Sequence, residues 1–229
     1  MNNKYAACSF SGGKDSVLAL WYAIKLGYNV RYLVNFASQK FKRSSFHGIP
    51  TKLISLQAKC IGIPLLQYYV SSVKNSYEKN FIKMLKQLNS LNIKYLICGD
   101  IYLSDHPNWI RMRCKRFDLT LVEPLWKKNT LDLLKEFISL GFKAKIVSVN
   151  AEVLPKKFVG KELDFEFIEE ISQYKVCICG ENGEYHTFVY DGPIFKKKIK
   201  IIDTKIVYKK TFWSAWFLDI KKYHLEFKK

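Results

Sequence analysis

The chain has 229 residues, 48% of them hydrophobic and 25% charged, which suits one large globular domain, or one domain with a small appendage, and enough apolar mass for a core. The formal charge is +18 and almost all of it is lysine, since the arginines are Arg31, Arg43, Arg111, Arg113 and Arg116; such a field draws anions such as nucleotides or RNA. No apolar run reaches membrane-spanning length and Met1 leads directly into a strand pattern without an apolar leader, so a cytoplasmic chain with no membrane partner is expected.

In chain order, Tyr5 to Phe10 reads as a short apolar strand and Asp15 to Leu26 as a strongly apolar helix closed by Gly27. Val30 to Phe36 is a second strand, Pro50 to Ile61 a helix followed by Gly62, and Pro64 to Val70 a third strand. Tyr77 to Leu91 is an amphipathic helix with Phe81, Met84, Leu85 and Leu88 on one face. Tyr95 to Cys98 is a strand ending at Gly99-Asp100, and Ser104-Asp105-His106-Pro107 a helix start. Leu131 to Leu140 is a helix ended by Gly141, and Lys145 to Val149 a strand. This alternation predicts an α/β fold, a doubly wound parallel sheet over residues 1–150, whose ligands sit at the carboxyl ends of its strands. After Asn150 the pattern changes: a helical stretch near Lys161 to Ile171, then strand-like Lys198 to Ile202 and Lys205 to Tyr208, predict a smaller α+β domain over residues 151–229.

The six cysteines are scattered and suit a reduced chain; Cys177-x-Cys179 is the only close pair and does not match structural zinc spacing. From Lys196 to Lys229, eleven lysines face only Asp203, Asp219 and Glu226. That tail is either a solvated face or a docking surface for RNA, a ribosome-associated protein or an acidic partner.

The strongest local signal is Ser11-Gly12-Gly13-Lys14-Asp15-Ser16, placed between the first strand and the first helix. Two glycines let the backbone approach an oxyanion, the helix start offers N–H groups, Lys14 adds a cation, and Ser11 and Ser16 add hydroxyls. It is not a Walker A loop, because Asp15 follows Lys14 where Ser or Thr is required. A carboxylate beside phosphates calls for a cation between them, so Asp15 implies Mg²⁺. Ser11 to Ser16 are therefore the expected phosphate site. A second motif, CGENGEYHTFVYDGPIF over residues 179–195, places Glu181, Glu184 and His186 among glycines, a set able to bind an amine, hold a metal or relay protons.

SGGKDS after a strand resembles the PP-loop of the N-type ATP pyrophosphatases, which implies an adenine-nucleotide α-hydrolase-like (HUP) sheet, cleavage of ATP between its α and β phosphates, ATP phosphates on Ser11 to Ser16, and the adenine near Asn35 and Phe36 at the second strand end. Both motifs together resemble the diphthine–ammonia ligase family, as do Phe46-His47, Ala58, Gly62-Ile63-Pro64-Leu65, Pro124-Leu125-Trp126 and Gly141-Phe142. The resemblance covers residues 4–195. It implies amidation of diphthine on translation elongation factor 2 with ATP and ammonium, through an adenylated carboxylate. Lys14 and Asp15 would then serve the nucleotide, Glu184 and His186 would take the proton from ammonium, and Glu181, with Glu184 and Asp100, would contact ammonium or substrate. One stretch departs from the family: Gly99 to His106 replaces its Ser…Tyr-Gln…Arg pattern and Trp109 stands in the arginine's place, as in a related branch with a different substrate. The alternatives are such a branch, for instance a tRNA-modifying enzyme, against which stands the lack of C-x-x-C pairs and of an RNA-binding module, and a nucleotide sensor without turnover, against which both motif loops stand.

Overall fold

The computed structural model describes residues 4–44, 47–102, 105–210 and 214–228, the side chains of 105–107 excepted. The strands are β1 (Tyr5–Ser9), β2 (Asn29–Ser38), β3 (Leu65–Val70), β4 (Tyr95–Ile97), β5 (Thr120–Val122), β6 (Lys143–Asn150), β7 (Tyr185–Asp191), β8 (Lys197–Lys210) and β9 (Ser214–Phe227). The helices are α1 (Lys14–Lys25), α2 (Thr51–Ile61), α3 (Ser76–Ser90), α4 (Asp105–Arg116), α5 (Thr130–Ser139) and α6 (Phe165–Ile171). They form two compact units: Met1–Ser11 with Asp15–Ser45 and Ile63–Lys127, and Gly12–Lys14 with Phe46–Gly62 and Lys128–Lys229. No helix among the described residues is long and apolar enough to cross a membrane.

The first unit is a five-stranded parallel sheet in the order β3-β2-β1-β4-β5. Strand order reverses at β1, which pairs with β2 on one side and β4 on the other, so the ligand crevice of such a sheet opens beyond Ser9 and Ile97. Every third or fourth residue of α3 is apolar, and Phe81, Met84, Leu85 and Leu88 are buried as that spacing requires. They pack with Ala7, Val34, Leu96, Cys98, Ile110 and Cys114 into one core, each of the four contributing about 1.5–3 kcal/mol on burial. β5, three residues long, is too short to show a period and is absent from the sequence expectation.

The second unit is a four-stranded antiparallel sheet in the order β7-β6-β9-β8. Here the structure departs from the expected strand set. β6, read as the last strand of the parallel series, pairs antiparallel with β7 and β9. Alternation along a chain marks strands and helices but not their partners. The two strand-like segments after Lys197 are one strand, β8, interrupted by register shifts around Asp203 that mark a bulge, and it forms a long hairpin with β9. The helix expected from Lys161 begins at Phe165, because Lys161–Leu163 run beside β6 through Ile146 N to Lys161 O (2.9 Å) and Leu163 N to Ala144 O (2.8 Å). Asp164 then caps α6, its carboxylate accepting from Phe167 N at 2.9 Å. Phe46 and Ser104, named in the sequence reading, lie outside the described residues.

Candidate active site

In the first unit, the turn after β1 is braced from β2. Asn35 is buried, and its Nδ2 donates to the Phe10 carbonyl (2.9 Å) and to Ser44 Oγ (3.2 Å). Ser44 Oγ donates in turn to the Ser11 carbonyl at 3.5 Å. Asn35 thus satisfies the chain that leads into the glycine turn. Side chains of a strand alternate, so the neighbouring Phe36 points to the other face. There its ring meets Tyr68, Tyr77 and Phe81 at centroid distances of 5.5, 5.1 and 6.0 Å. Trp109 joins the same aromatic group, 4.9 Å from Phe81, with the Arg113 guanidinium 3.7 Å from its ring.

At the start of α1, Ser11 Oγ donates to Ser16 Oγ at 3.2 Å, and Asp15 is half-buried in the first turn, where the helix dipole favours a carboxylate. Gly99 ends β4 directly on this turn: a β-carbon there would lie 2.8 Å from the Asp15 carbonyl and 3.1 Å from Ser16 N. Only glycine permits that approach. Asp100 follows, half-buried, and its charge, after burial and Cys98, helps push the Tyr77 phenol up to about 12.

In the second unit, Gly12–Lys14 are bonded to β7. Val189 N donates to the Gly12 carbonyl at 3.0 Å, and Lys14 N donates to Thr187 Oγ1 at 2.9 Å. Gln57, fully buried on α2, donates from Nε2 to both Gly12 O (3.0 Å) and Val189 O (2.6 Å). A β-carbon at Gly12, where φ is +85°, would lie 2.6 Å from Gln57 Oε1; one at Gly13 would lie 2.5 Å from His47 Cε1. Both glycines are therefore required by space. Lys14 is buried, with its ammonium 5.3 Å from the centre of the Tyr185 ring. Sequence reasoning missed Gln57 and Thr187. The signal for Gln57 was present: it falls on the apolar stripe of α2 formed by Leu53, Ile54, Ala58 and Ile61.

The acidic loop leads into β7. Glu184 is buried and its carboxylate is turned into its own loop. Oε1 accepts from Cys177 N (2.8 Å) and Asn182 Nδ2 (3.1 Å), and Oε2 accepts from Asn182 N (2.9 Å). Cys179 is buried and donates to the Thr130 carbonyl at 3.1 Å. Glu181 is half-buried on the same loop. His186 faces His47, ring centroids 4.6 Å apart. His186 keeps some exposed surface, yet the surrounding protein, then His47, then the Lys14 ammonium, hold its pKa well below 6.5, so it is neutral at pH 7.

These residues fit a nucleotide. Within the second unit, Gly12 and Gly13 leave no room for β-carbons and Lys14 is buried beside them, features suited to a phosphate. Among the described residues no group of three or more His, Cys, Asp or Glu could hold a metal alone. A Mg²⁺ ion fits only in the manner usual for nucleotide sites, held mainly by phosphates with one carboxylate, Asp15.

Residues 4–121 match the diphthamide synthase N-terminal domain and residues 129–225 the diphthamide synthase C-terminal domain. The chain is 32% identical to a human diphthine–ammonia ligase over 96% of its own length and 92% of that protein's. A zebrafish (Danio rerio) diphthine–ammonia ligase is 32% identical over 94% of both chains. The fission-yeast (Schizosaccharomyces pombe) protein of the same name is 27% identical and much longer, so that 86% of this chain spans 36% of it. Among solved structures, one described as a predicted subunit of tRNA methyltransferase from Methanocaldococcus jannaschii superposes with a TM-score of 0.44 at 17% identity, over 62% of this chain and 78% of that one.

Proposed function

The chain belongs to the diphthamide synthase family, and on that premise we propose that it is an ATP-dependent carbon–nitrogen ligase that converts diphthine on elongation factor 2 to diphthamide, releasing AMP and pyrophosphate. The observation that carries this reading is the bonding of Gly12 and Lys14 to Val189 and Thr187, on the strand that continues the acidic loop. Adenylation at the carboxylate oxygen and amidation at the carbon that bears it act on one carboxyl group, so the groups serving them must be close, and an adenylate must be kept from water.

In this reading Ser11 to Ser16 bind the phosphates, Lys14 offsets their charge, and the adenine lies against the main chain of Asn35 and Phe36. Asp15, together with the phosphates, would hold Mg²⁺, which would neutralise charge on the pyrophosphate. A carboxylate is a poor acyl donor; as an adenylate it has a good leaving group. Glu181 and Asp100 hold ammonium or the substrate, and Glu184 and His186 serve the amidation half. The cysteines, all in the thiol form, suit a cytoplasmic enzyme.

The test is incubation of the chain with ATP, ammonium and diphthine-bearing elongation factor 2, with AMP and pyrophosphate assayed and the factor analysed by mass spectrometry. Asp15→Ala should abolish pyrophosphate release with the fold intact. Full release by that variant, or an unmodified factor with the native chain, overturns the reading; modification of tRNA instead would select the tRNA-modifying alternative.

A further inference from the structure

Making an amide from ammonium removes two protons from nitrogen, one before the nitrogen can attack and one as AMP departs. The first removal needs a base placed at the ammonium. Glu184 is poorly disposed for that task, because both its oxygens accept hydrogen bonds that hold residues 177–184 together. The imidazoles of His47 and His186 lie side by side, centroids 4.6 Å apart and planes tilted by 40°. His47 Nδ1 lies 3.1 Å from the Thr187 carbonyl, which can only accept, so Nδ1 carries the hydrogen and the ring cannot swing away without losing that bond. The same ring covers the glycine turn, because Gly13 has no side chain to displace it.

We infer that His186 is the base that deprotonates ammonium and that His47 is its positioning residue, holding its ring over the glycine turn. The inference rests on the ligase reading above. In the step, an N–H bond of ammonium breaks and the proton goes to the ring lone pair of His186. The freed electron pair on nitrogen forms the C–N bond. The C–O bond to the phosphate of AMP breaks with its electrons leaving on AMP, and the second proton leaves to water. Among the described residues, the charged and titratable groups that act on His186 include the Lys14 ammonium, from the glycine turn, and His47, from the segment before α2; both disfavour its protonated form and so keep it available as a base. Tyr185, the preceding residue, faces the Lys14 ammonium.

The test compares His186→Asn, His47→Asn and His47→Leu, with AMP formation and amidation of the factor measured from acid to alkaline pH. For His186→Asn, ammonium-dependent amidation should fall about 10²–10⁴-fold, far more than pyrophosphate exchange falls. Hydroxylamine, a nucleophile already neutral at pH 7, should restore most of the lost rate. His47→Asn retains a donor for the Thr187 carbonyl but lacks the charge, so its rate at the pH plateau should persist while the acid limb moves to higher pH. His47→Leu should lose plateau rate as well. A His47→Asn enzyme whose acid limb stays put, or a His186→Asn enzyme that amidates at the native rate or gains nothing from hydroxylamine, overturns the inference. If His186→Asn does not fold, the two His47 variants decide it. A native chain that makes no amide at all overturns the ligase reading and the inference with it; a native chain that does, beside variants with unchanged profiles, overturns the inference alone.

Discussion

Replacing Glu184 by Gln separates a carboxylate that moves protons from one that holds a loop. In the native loop, Oε1 takes Cys177 N and Asn182 Nδ2, and Oε2 takes Asn182 N. Gln has one acceptor oxygen and one donor group. If its oxygen serves Cys177 N, its NH₂ faces Asn182 N; if it is flipped, its NH₂ faces Cys177 N. Either way one backbone donor loses its acceptor and meets another donor. Stranding such a group costs about 1–3 kcal/mol, and the lost bonds were charge-assisted. For a chain of this size that corresponds to a melting temperature lower by roughly 2–12 °C. Thermal unfolding gives the total, and amide hydrogen exchange at Cys177 and Asn182 gives its location. Amidation should fall in parallel with loop opening, and Glu184→Asp, which keeps the charge but shortens the reach, should be intermediate in both. An enzyme with Glu184→Gln that melts and exchanges like the native chain, yet makes no amide, would refute the loop-holding role and return the base to Glu184.

Three further outcomes follow from the same geometry. Gly13→Ala sets a methyl 2.5 Å from His47 Cε1 and 3.1 Å from the Thr187 carbonyl; it should cost about 1–3 kcal/mol by overpacking and erase the protected His47 Nδ1–H signal in NMR, and a variant with native stability and that signal would disprove the close fit. Gln57→Glu turns an oxygen toward Gly12 O and Val189 O, so it should raise the KM for ATP and lower the melting temperature more than Gln57→Leu does; the reverse order would show that the amide does not brace the turn. His186 has a folded pKa below 6.5, so the unfolded chain binds the extra proton: its contribution to stability is constant above about pH 6.5 and is lost on acidification at up to about 1.4 kcal/mol per pH unit. The difference between native and His186→Asn melting curves from pH 7 to 5 should show that slope, and parallel curves would contradict it.

The parallel sheet was legible because its helices carry clean stripes, as in Phe81, Met84, Leu85 and Leu88, and because a glycine such as Gly27, in the left-handed conformation, closes α1. The antiparallel sheet was less so. β8 carries a bulge at Asp203 that breaks its alternation, and β9 mixes inward Ala215, Leu218 and Ile220 with lysines in a way that resembles a tail. At the site, the SGGKDS turn announced itself by composition. Glu184 could not be assigned from sequence, since a carboxylate in a glycine-rich loop looks alike whether it accepts from backbone N–H groups or from a substrate. Asn35, expected near the adenine, also braces the turn through contacts with residues 10 and 44 that no local pattern encodes.

The bonds from Gly12 and Lys14 to Val189 and Thr187 also bear on how such a protein can be inherited. The N-terminal and C-terminal domains of the family meet near residue 125, as though two cassettes had been joined. Yet the turn encoded by the first cassette hangs from a strand encoded by the second. A recombination event that exchanged the second cassette would have to preserve a threonine hydroxyl and an outward amide at matching places in the incoming strand, or the turn would lose its shape. The two halves are therefore expected to travel and diversify together, and new acceptor specificities to arise by substitution around the loop rather than by shuffling.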